Sequence, residues 1–144
     1  VKVLLHRRYR FAASHRLHRA AWSEEENRRV YGKCSNPYGH GHNYVLEVAV
    51  TGAVDPATGM ITNLSELDAF VERQVLGDFD HVYLNEQVAA FRDLVPTTEN
   101  LCRVLYGRLR TYPHARLEAI RIEETGSNSF EYMGEPPEKE TWES

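Results

Sequence analysis

The chain has 144 residues, 42% of them apolar, and a net charge of −4, which fits one globular domain around one core. The acidic balance argues against a general nucleic-acid surface, which needs a basic excess to neutralise phosphates. No apolar stretch approaches the roughly 18 residues of a membrane span, and two cysteines, Cys34 and Cys102, make no disulfide framework.

From Val3 to His15 the residues read as a strand, with Tyr9 and Phe11 among alternating arginines and the small Ala12-Ala13-Ser14 before His15. The opening residues lack the uninterrupted apolar block and cleavage site of a signal peptide, so the expected location is cytoplasmic. Leu17 to Gly41 is long, polar and turn-rich, a kind of connection more often functional than idle, and its run from Glu24 to Arg29 predicts a short solvated helix. Asn43 to Gly52 predicts a second strand pairing with the first, with Tyr44, Leu46, Val48 and Val50 on one face.

A turn at Asp55-Pro56-Ala57-Thr58-Gly59 leads to Asn63, which predicts a helix cap with Glu66 three residues on. Leu64, Leu67, Phe70, Val71 and Val75 then recur at helical spacing, and Gly77 is the expected stop. Asp80-His81 falls in the connection to a second helix, which opens at Thr97 or Thr98 after Pro96. That helix carries Leu101, Val104, Leu105, Leu109 and Tyr112, and Pro113 is expected to end it. Leu117 to Glu124 alternates as a strand, and Ser129 to Met133 returns beside it after a turn at Gly126-Ser127-Asn128.

The element order is ββααββ, an α+β domain over residues 1–133 with four antiparallel strands and both helices on one face; an acidic, frayed tail is expected over 134–144. An open sheet of this kind exposes its edge strands, and pairing with copies of itself in a cyclic oligomer would cover them.

The chemistry is concentrated in His40-Gly41-His42. Residues two apart on a strand share a face, so both imidazoles can reach one metal ion, and His15 on a neighbouring strand would complete a three-nitrogen zinc site with an open fourth position. Seven histidines in one chain also produce short spacings by chance. Cys34 lies in turn formers that lead into the two histidines, close to them without being an obvious fourth ligand. Asp80 can orient His81 or share its proton, and Thr97, Thr98 and Glu99 read first as a helix start whose amides and hydroxyls could also meet a ligand. Glu124, at a strand end, could accept paired hydrogen bonds from a guanidine-like ring edge. Arg7, Arg8, Arg10, Arg16 and Arg19 cluster near the start, so an anionic ligand would more naturally meet the first half.

These residues, taken in order, resemble one family. Phe11-Ala12-Ala13-Ser14-His15-Arg16-Leu17 is followed by Gly32-Lys33-Cys34-Ser35-Asn36-Pro37-Tyr38-Gly39-His40-Gly41-His42-Asn43-Tyr44, then by the Asp55–Met60 turn, Asp80-His81, Leu84-Asn85, Pro96-Thr97-Thr98-Glu99-Asn100 and Glu124-Thr125. The chain is similar to the 6-pyruvoyltetrahydropterin synthases and to their relatives that make 6-carboxytetrahydropterin for the queuosine pathway. The resemblance implies a tunnelling fold that forms a trimeric barrel and then a homohexamer. It implies zinc held by His15, His40 and His42, with Cys34 as base and Asp80 and His81 acting with it from a neighbouring subunit. Glu124 would anchor the pterin and join the proton relay, with Thr97 and Thr98 nearby.

The implied reaction converts 7,8-dihydroneopterin triphosphate to 6-pyruvoyltetrahydropterin with loss of triphosphate. Five residues separate Cys34 from His40, which resembles the pyruvoyl-forming branch; the carboxy-forming branch, which releases acetaldehyde, more often has three. A zinc- or pterin-binding subunit without turnover is the alternative of a different class, and Cys34, Asp80 and His81 argue against it.

Overall fold

A computed structural model describes residues 3–135. Strand β1 (Val3–His15) and β2 (His40–Gly52) form a long antiparallel pair in which Phe11 faces Tyr44, Ala13 faces His42 and His15 faces His40. β4 (Arg116–Thr125) pairs with the other side of β2, and β5 (Asn128–Tyr132) adds to β4. Among the described residues the sheet has five strands where the sequence pattern predicts four, β3 (Val82–Tyr83) being the addition, in the order β3-β1-β2-β4-β5. The extra strand β3 is only two residues long and runs parallel to β1 beside Ala13 and Ser14, so the sheet is mixed rather than purely antiparallel. Two residues carry no periodicity, which is why the pattern could not reveal it.

β2 begins at His40, three residues before the expected Asn43, so both histidines of the His-x-His lie on the strand itself. The helix α2 (Leu64–Val71) opens as expected on Asn63, whose side chain accepts from the Ser65 and Glu66 amides. Gly77 does not stop it. At φ −61° Gly77 is helical, and the chain passes through a π-helical turn (Glu72–Leu76) into α3 (Gly77–Phe79). A glycine ends a helix only when it adopts the left-handed conformation, and this one has no call to. The second main helix, α5 (Thr98–Leu109), is capped by the Thr97 hydroxyl, which accepts from Asn100 N–H at 3.2 Å.

Between these helices, in the connection that carries no helical period, lie α4 (Leu84–Gln87) and a 3-10 turn (Ala89–Arg92). In the long connection after β1, α1 (Glu24–Tyr31) is present and is less free than a solvated helix. Its Asn27 is buried, donates to the Arg19 and Ser23 carbonyls and accepts from Arg19 N–H, tying the loop to the helix.

One core joins sheet and helices. Phe11, Tyr44, Leu46, Val48, Val50, Ile120 and Ile122 from the sheet pack with Leu67, Val71, Val75, Leu101, Leu105 and Leu109 from α2, the π turn and α5, so both main helices cover the same face. Each such side chain is worth about 1.5–3 kcal/mol on burial. The other face of the sheet is charged: Arg8 and His6 both meet Glu47, at 2.9 and 3.0 Å. Among the described residues no helix is long and apolar enough to cross a membrane. Of the expected acidic tail, Glu135 accepts a hydrogen bond from the Tyr132 hydroxyl at 2.7 Å, and residues 136–144 lie outside the described residues.

Candidate metal centre

The three histidines lie on the helix-covered face of the sheet, at the end where β1 finishes and β2 starts. Alternation along β2 puts His40 and His42 on the same face as Tyr44 and Leu46, and the β1–β2 register places His15 opposite His40 on that face. One ring nitrogen from each lies within 4.8 Å of the others, and His15 Nε2 is 2.9 Å from His40 Nε2. Tetrahedral zinc with bonds of about 2.0–2.1 Å holds its nitrogens about 3.3 Å apart, so the trio brackets the needed spacing.

Two further observations show that these residues suit a cation. His15 Nδ1 donates to the Pro96 carbonyl at 2.7 Å, which fixes the tautomer and leaves Nε2 with its lone pair toward His40. His42 Nε2 is buried with no hydrogen-bond partner among the described residues. A buried, unpaired nitrogen is costly unless something accepts its lone pair. Burial pushes the His15 imidazole down to about 4, with His40 and His42 adding to the effect against the Pro96 carbonyl. Burial, and then His42, lowers His40 as well. Neutral imidazoles are the form that binds metal.

Glu124 closes the inner side of the centre. Val45 pairs with Glu123, so one more step along the register sets Glu124 opposite Tyr44 on the core face, and its Oε1 lies 4.0 Å from His42 Nε2. β4 skips Glu124 in its pairing with β5, where Glu123 meets Ser129 and Thr125 meets Asn128; such an irregularity re-aims the side chain it frees. The Thr98 hydroxyl donates a very short hydrogen bond to Glu124 Oε2, and Asn128 donates to Oε1 at 3.4 Å. Burial opposes ionisation of Glu124, but Thr98, Asn128, His42 and His15 outweigh it and hold its carboxyl below the ordinary value.

Cys34 lies in a 3-10 turn (Gly32–Ser35) and is half-buried. Its carbonyl accepts from Leu17 N–H at 2.8 Å, which docks the turn two residues beyond His15. Two other contacts hold this corner: the Asn36 side chain accepts from Tyr38 N–H, and Gly39 N–H donates to the Asn36 carbonyl. Gly39 has φ +69°, and a Cβ there would meet the His15 carbonyl oxygen at 3.0 Å. Gly39→Ala is therefore expected to destabilise the fold by about 1–2 kcal/mol, the usual cost of a left-handed non-glycine residue, and to widen the loop over His15. Urea unfolding checks the first, and metal affinity the second.

Asp80 and His81 stand elsewhere. Asp80 Oδ1 accepts from Ala12 N–H at 2.9 Å, His81 N–H donates to the Ala12 carbonyl at 2.5 Å, and the His81 ring nitrogen Nδ1 is 2.9 Å from Asp80 Oδ1. The Ala12 amide, ahead of His81, holds the Asp80 carboxyl below its usual value. His81 has φ +60° and a side chain 82% exposed, a strained and open placement. Among the described residues no hydrogen bond joins the Asp80–His81 pair to the three histidines.

Of the helix-start residues, Thr98 reaches Glu124, Thr97 caps α5, and Glu99 is exposed on its first turn. Three further residues of the site have roles that the sequence does not announce. Asn85 clamps Arg16 by accepting from its N–H and donating to its carbonyl, both at 2.8 Å. The Pro96 carbonyl orients His15. The Tyr44 hydroxyl is buried, its ring 5.5 Å from that of His42, and burial, followed by Glu124, pushes the phenol up.

Comparison with known proteins places this arrangement. A family model described as 6-pyruvoyl tetrahydropterin synthase matches residues 4–135. The 6-pyruvoyl tetrahydrobiopterin synthase of Poecilia reticulata is 47% identical over 126 residues, covering 87% of this chain and 86% of that protein. The human protein of the same name is 43% identical over 130 residues, covering 90% of each. The solved structure of the Caenorhabditis elegans 6-pyruvoyl tetrahydropterin synthase superposes with a TM-score of 0.88 at 38% identity, covering 94% of this chain and 97% of that one. A family model spanning nearly all the described residues and relatives above 40% identity agree with the geometry, and the chain belongs to the 6-pyruvoyl tetrahydropterin synthase family.

Proposed function

We propose that the protein is a zinc-dependent 6-pyruvoyltetrahydropterin synthase, converting 7,8-dihydroneopterin triphosphate to 6-pyruvoyltetrahydropterin and releasing triphosphate. The observation that carries this reading is the meeting of three imidazoles with Glu124 on one continuous face, Glu124 Oε1 lying 4.0 Å from His42 Nε2, beside the docked Cys34 turn. His15, His40 and His42 would hold the zinc, which, when bound, polarises the hydroxyls of the substrate side chain and so acidifies the neighbouring C–H.

The chain's own residues supply the rest. Glu124, ionised and fixed by Thr98, accepts the 2-amino and ring N–H groups of the pterin and sets the distance from ring to metal. Cys34 takes the proton from the acidified hydroxyl carbon next to the ring, whose electron pair passes into the ring C=N, so that this carbon becomes a ketone as the dihydropterin is reduced to a tetrahydropterin. Loss of the proton on the next carbon then expels triphosphate from the terminal carbon and leaves an enol that becomes the second ketone. Asp80, half-buried against the Ala12 amide, and the exposed His81 return protons as the side chain becomes a diketone, and they do so for the site of a neighbouring subunit. A hexamer built from two trimeric barrels brings the sheet edges together.

Incubation of the purified, zinc-loaded protein with dihydroneopterin triphosphate tests the reading by product mass. The pyruvoyl product with one triphosphate per turnover is expected. A carboxy product with acetaldehyde moves the chain to the other branch, and absence of triphosphate release overturns the assignment as an enzyme.

Glu124→Gln keeps the size of the side chain and an acceptor for Thr98 while removing the charge. It is expected to raise KM and lower kcat/KM by about 10–100-fold, the value of one or two charge-assisted hydrogen bonds, with zinc content unchanged. Steady-state kinetics beside metal analysis reads both.

A further inference from the structure

The candidate site has a direction. Glu124 sits opposite Tyr44, and stepping back along β2 through His42 to His40 leads to the 34–39 corner, about 14 Å away at 3.4 Å per residue. One end is anionic, the middle is imidazole, and the corner at the far end contributes Ser35 and Asn36 to a cleft of about 360 Å³ lined also by Arg16, Glu24, Arg28 and Lys33.

This cleft is cationic, with three basic side chains against one carboxylate. Its charges are also uncommitted. Among the described residues neither Arg28 nor Lys33 has an ion pair or a side-chain hydrogen bond, and Arg16 uses only Nε, donating to the Ser35 carbonyl at 2.9 Å, so both its terminal nitrogens remain to donate. Asn85 holds the Arg16 backbone from both sides, so the guanidinium starts from a fixed root. Arg16 directly follows His15, Lys33 and Ser35 flank Cys34, and the Leu17 N–H bond to the Cys34 carbonyl ties the two segments together, so the cleft is lined by the chain neighbours of a candidate metal ligand and of the candidate base.

The competing basic surface is less suited. Arg8, Arg10 and Arg121 line a cleft of about 420 Å³ with Glu47 and Glu123. Arg8 is paired with Glu47 at 2.9 Å, Arg121 is bonded to Ser129 at 3.0 Å, and the whole group occupies the sheet face turned away from the histidines.

We propose that the cleft formed by Arg16, Arg28 and Lys33 is the triphosphate subsite, holding the polyanion of the substrate beyond the metal while Glu124 holds the ring at the opposite end. The inference rests on the function proposed above. A polyanion placed there leaves along the side of Cys34, where the elimination begins, and terminal guanidinium nitrogens offer the forked donors that phosphate oxygens accept.

Inorganic tripolyphosphate is the probe, because its binding needs no turnover and no pterin. Calorimetric titration of the full-length protein is expected to show saturable binding that weakens with added salt. In the Arg28→Gln/Lys33→Gln double variant, where each exposed charge is worth a factor of a few, affinity is expected to fall about tenfold, with metal content unchanged. Arg10→Gln/Arg121→Gln on the other face is the control and should bind as the unmodified protein does. No binding by the unmodified protein, equal binding by the double variant, or loss confined to the control each overturns the subsite. An inactive protein that still binds tripolyphosphate through Arg28 and Lys33 would sink the proposed reaction and keep the cleft. An active one whose double variant keeps its KM for the triphosphate substrate would do the reverse.

Discussion

Replacing Cys34 by alanine is expected to lower triphosphate release by about a thousandfold, within the 10²–10⁴ range of a positioned base, while fold and bound metal stay unchanged. The separation is possible because the turn is docked by the backbone of Cys34 rather than by its thiol: Leu17 N–H donates to the Cys34 carbonyl, and Gly39 and Asn36 hold the rest of the corner. Losing Sγ leaves those contacts in place, and the three imidazoles do not include the thiol. Nor can the other thiol substitute. Cys102 is buried in α5 and its thiol is pushed up to about 12, first by burial and then by Glu99. Triphosphate release, zinc content and unfolding midpoint, measured on one preparation, decide the matter; undiminished turnover would remove Cys34 from the mechanism.

His42→Ala is expected to abolish metal retention and turnover together, and to do so without weakening the metal-free fold. With two imidazoles remaining, a catalytic zinc site lacks its usual three protein ligands. In the metal-free protein His42 Nε2 is a buried nitrogen with no hydrogen-bond partner among the described residues, so its deletion removes an unsatisfied group at the cost of a small cavity. The contrast appears on titration with zinc. At a thousand times Kd a metal that binds only the folded chain stabilises it by about 4 kcal/mol, enough to raise Tm by about 10 °C or more in a domain of this size. The unmodified protein should show that rise and His42→Ala should not. An equal shift in both would mean that the ion is held elsewhere.

The parts of this molecule that sequence makes visible are those with a period. Leu64, Leu67, Phe70 and Val71 announce α2, and Leu101, Leu105 and Leu109 announce α5. Tyr44 to Val50 and Leu117 to Glu124 alternate as the strands they are. The same alternation reveals that His40 and His42 share a face, and it carries Glu124 to the face of Ile120 and Ile122. Features without a period stayed hidden. β3 has two residues, the π turn at Glu72–Leu76 leaves the apolar stripe almost undisturbed, and Gly77 carries the residue type of a stop in the dihedral angles of a helix. The orienting group of His15 is a backbone carbonyl, and any residue could supply one. Asn85 clamps Arg16 across 69 positions of sequence, a distance over which no local pattern reaches.

His40 and His42 occupy the same pleat face of β2 as Tyr44, Leu46, Val48 and Val50. A slip of one residue against β1 would therefore expel the ligands and the apolar side chains into solvent together. A chain that mispairs cannot become a well-folded protein with a scrambled centre, because the error that spoils the centre also empties the core. Quality control of the chemistry is thereby delegated to folding: whatever passes as stable has its imidazoles correctly aimed, and defective copies present exposed apolar strands that mark them for removal.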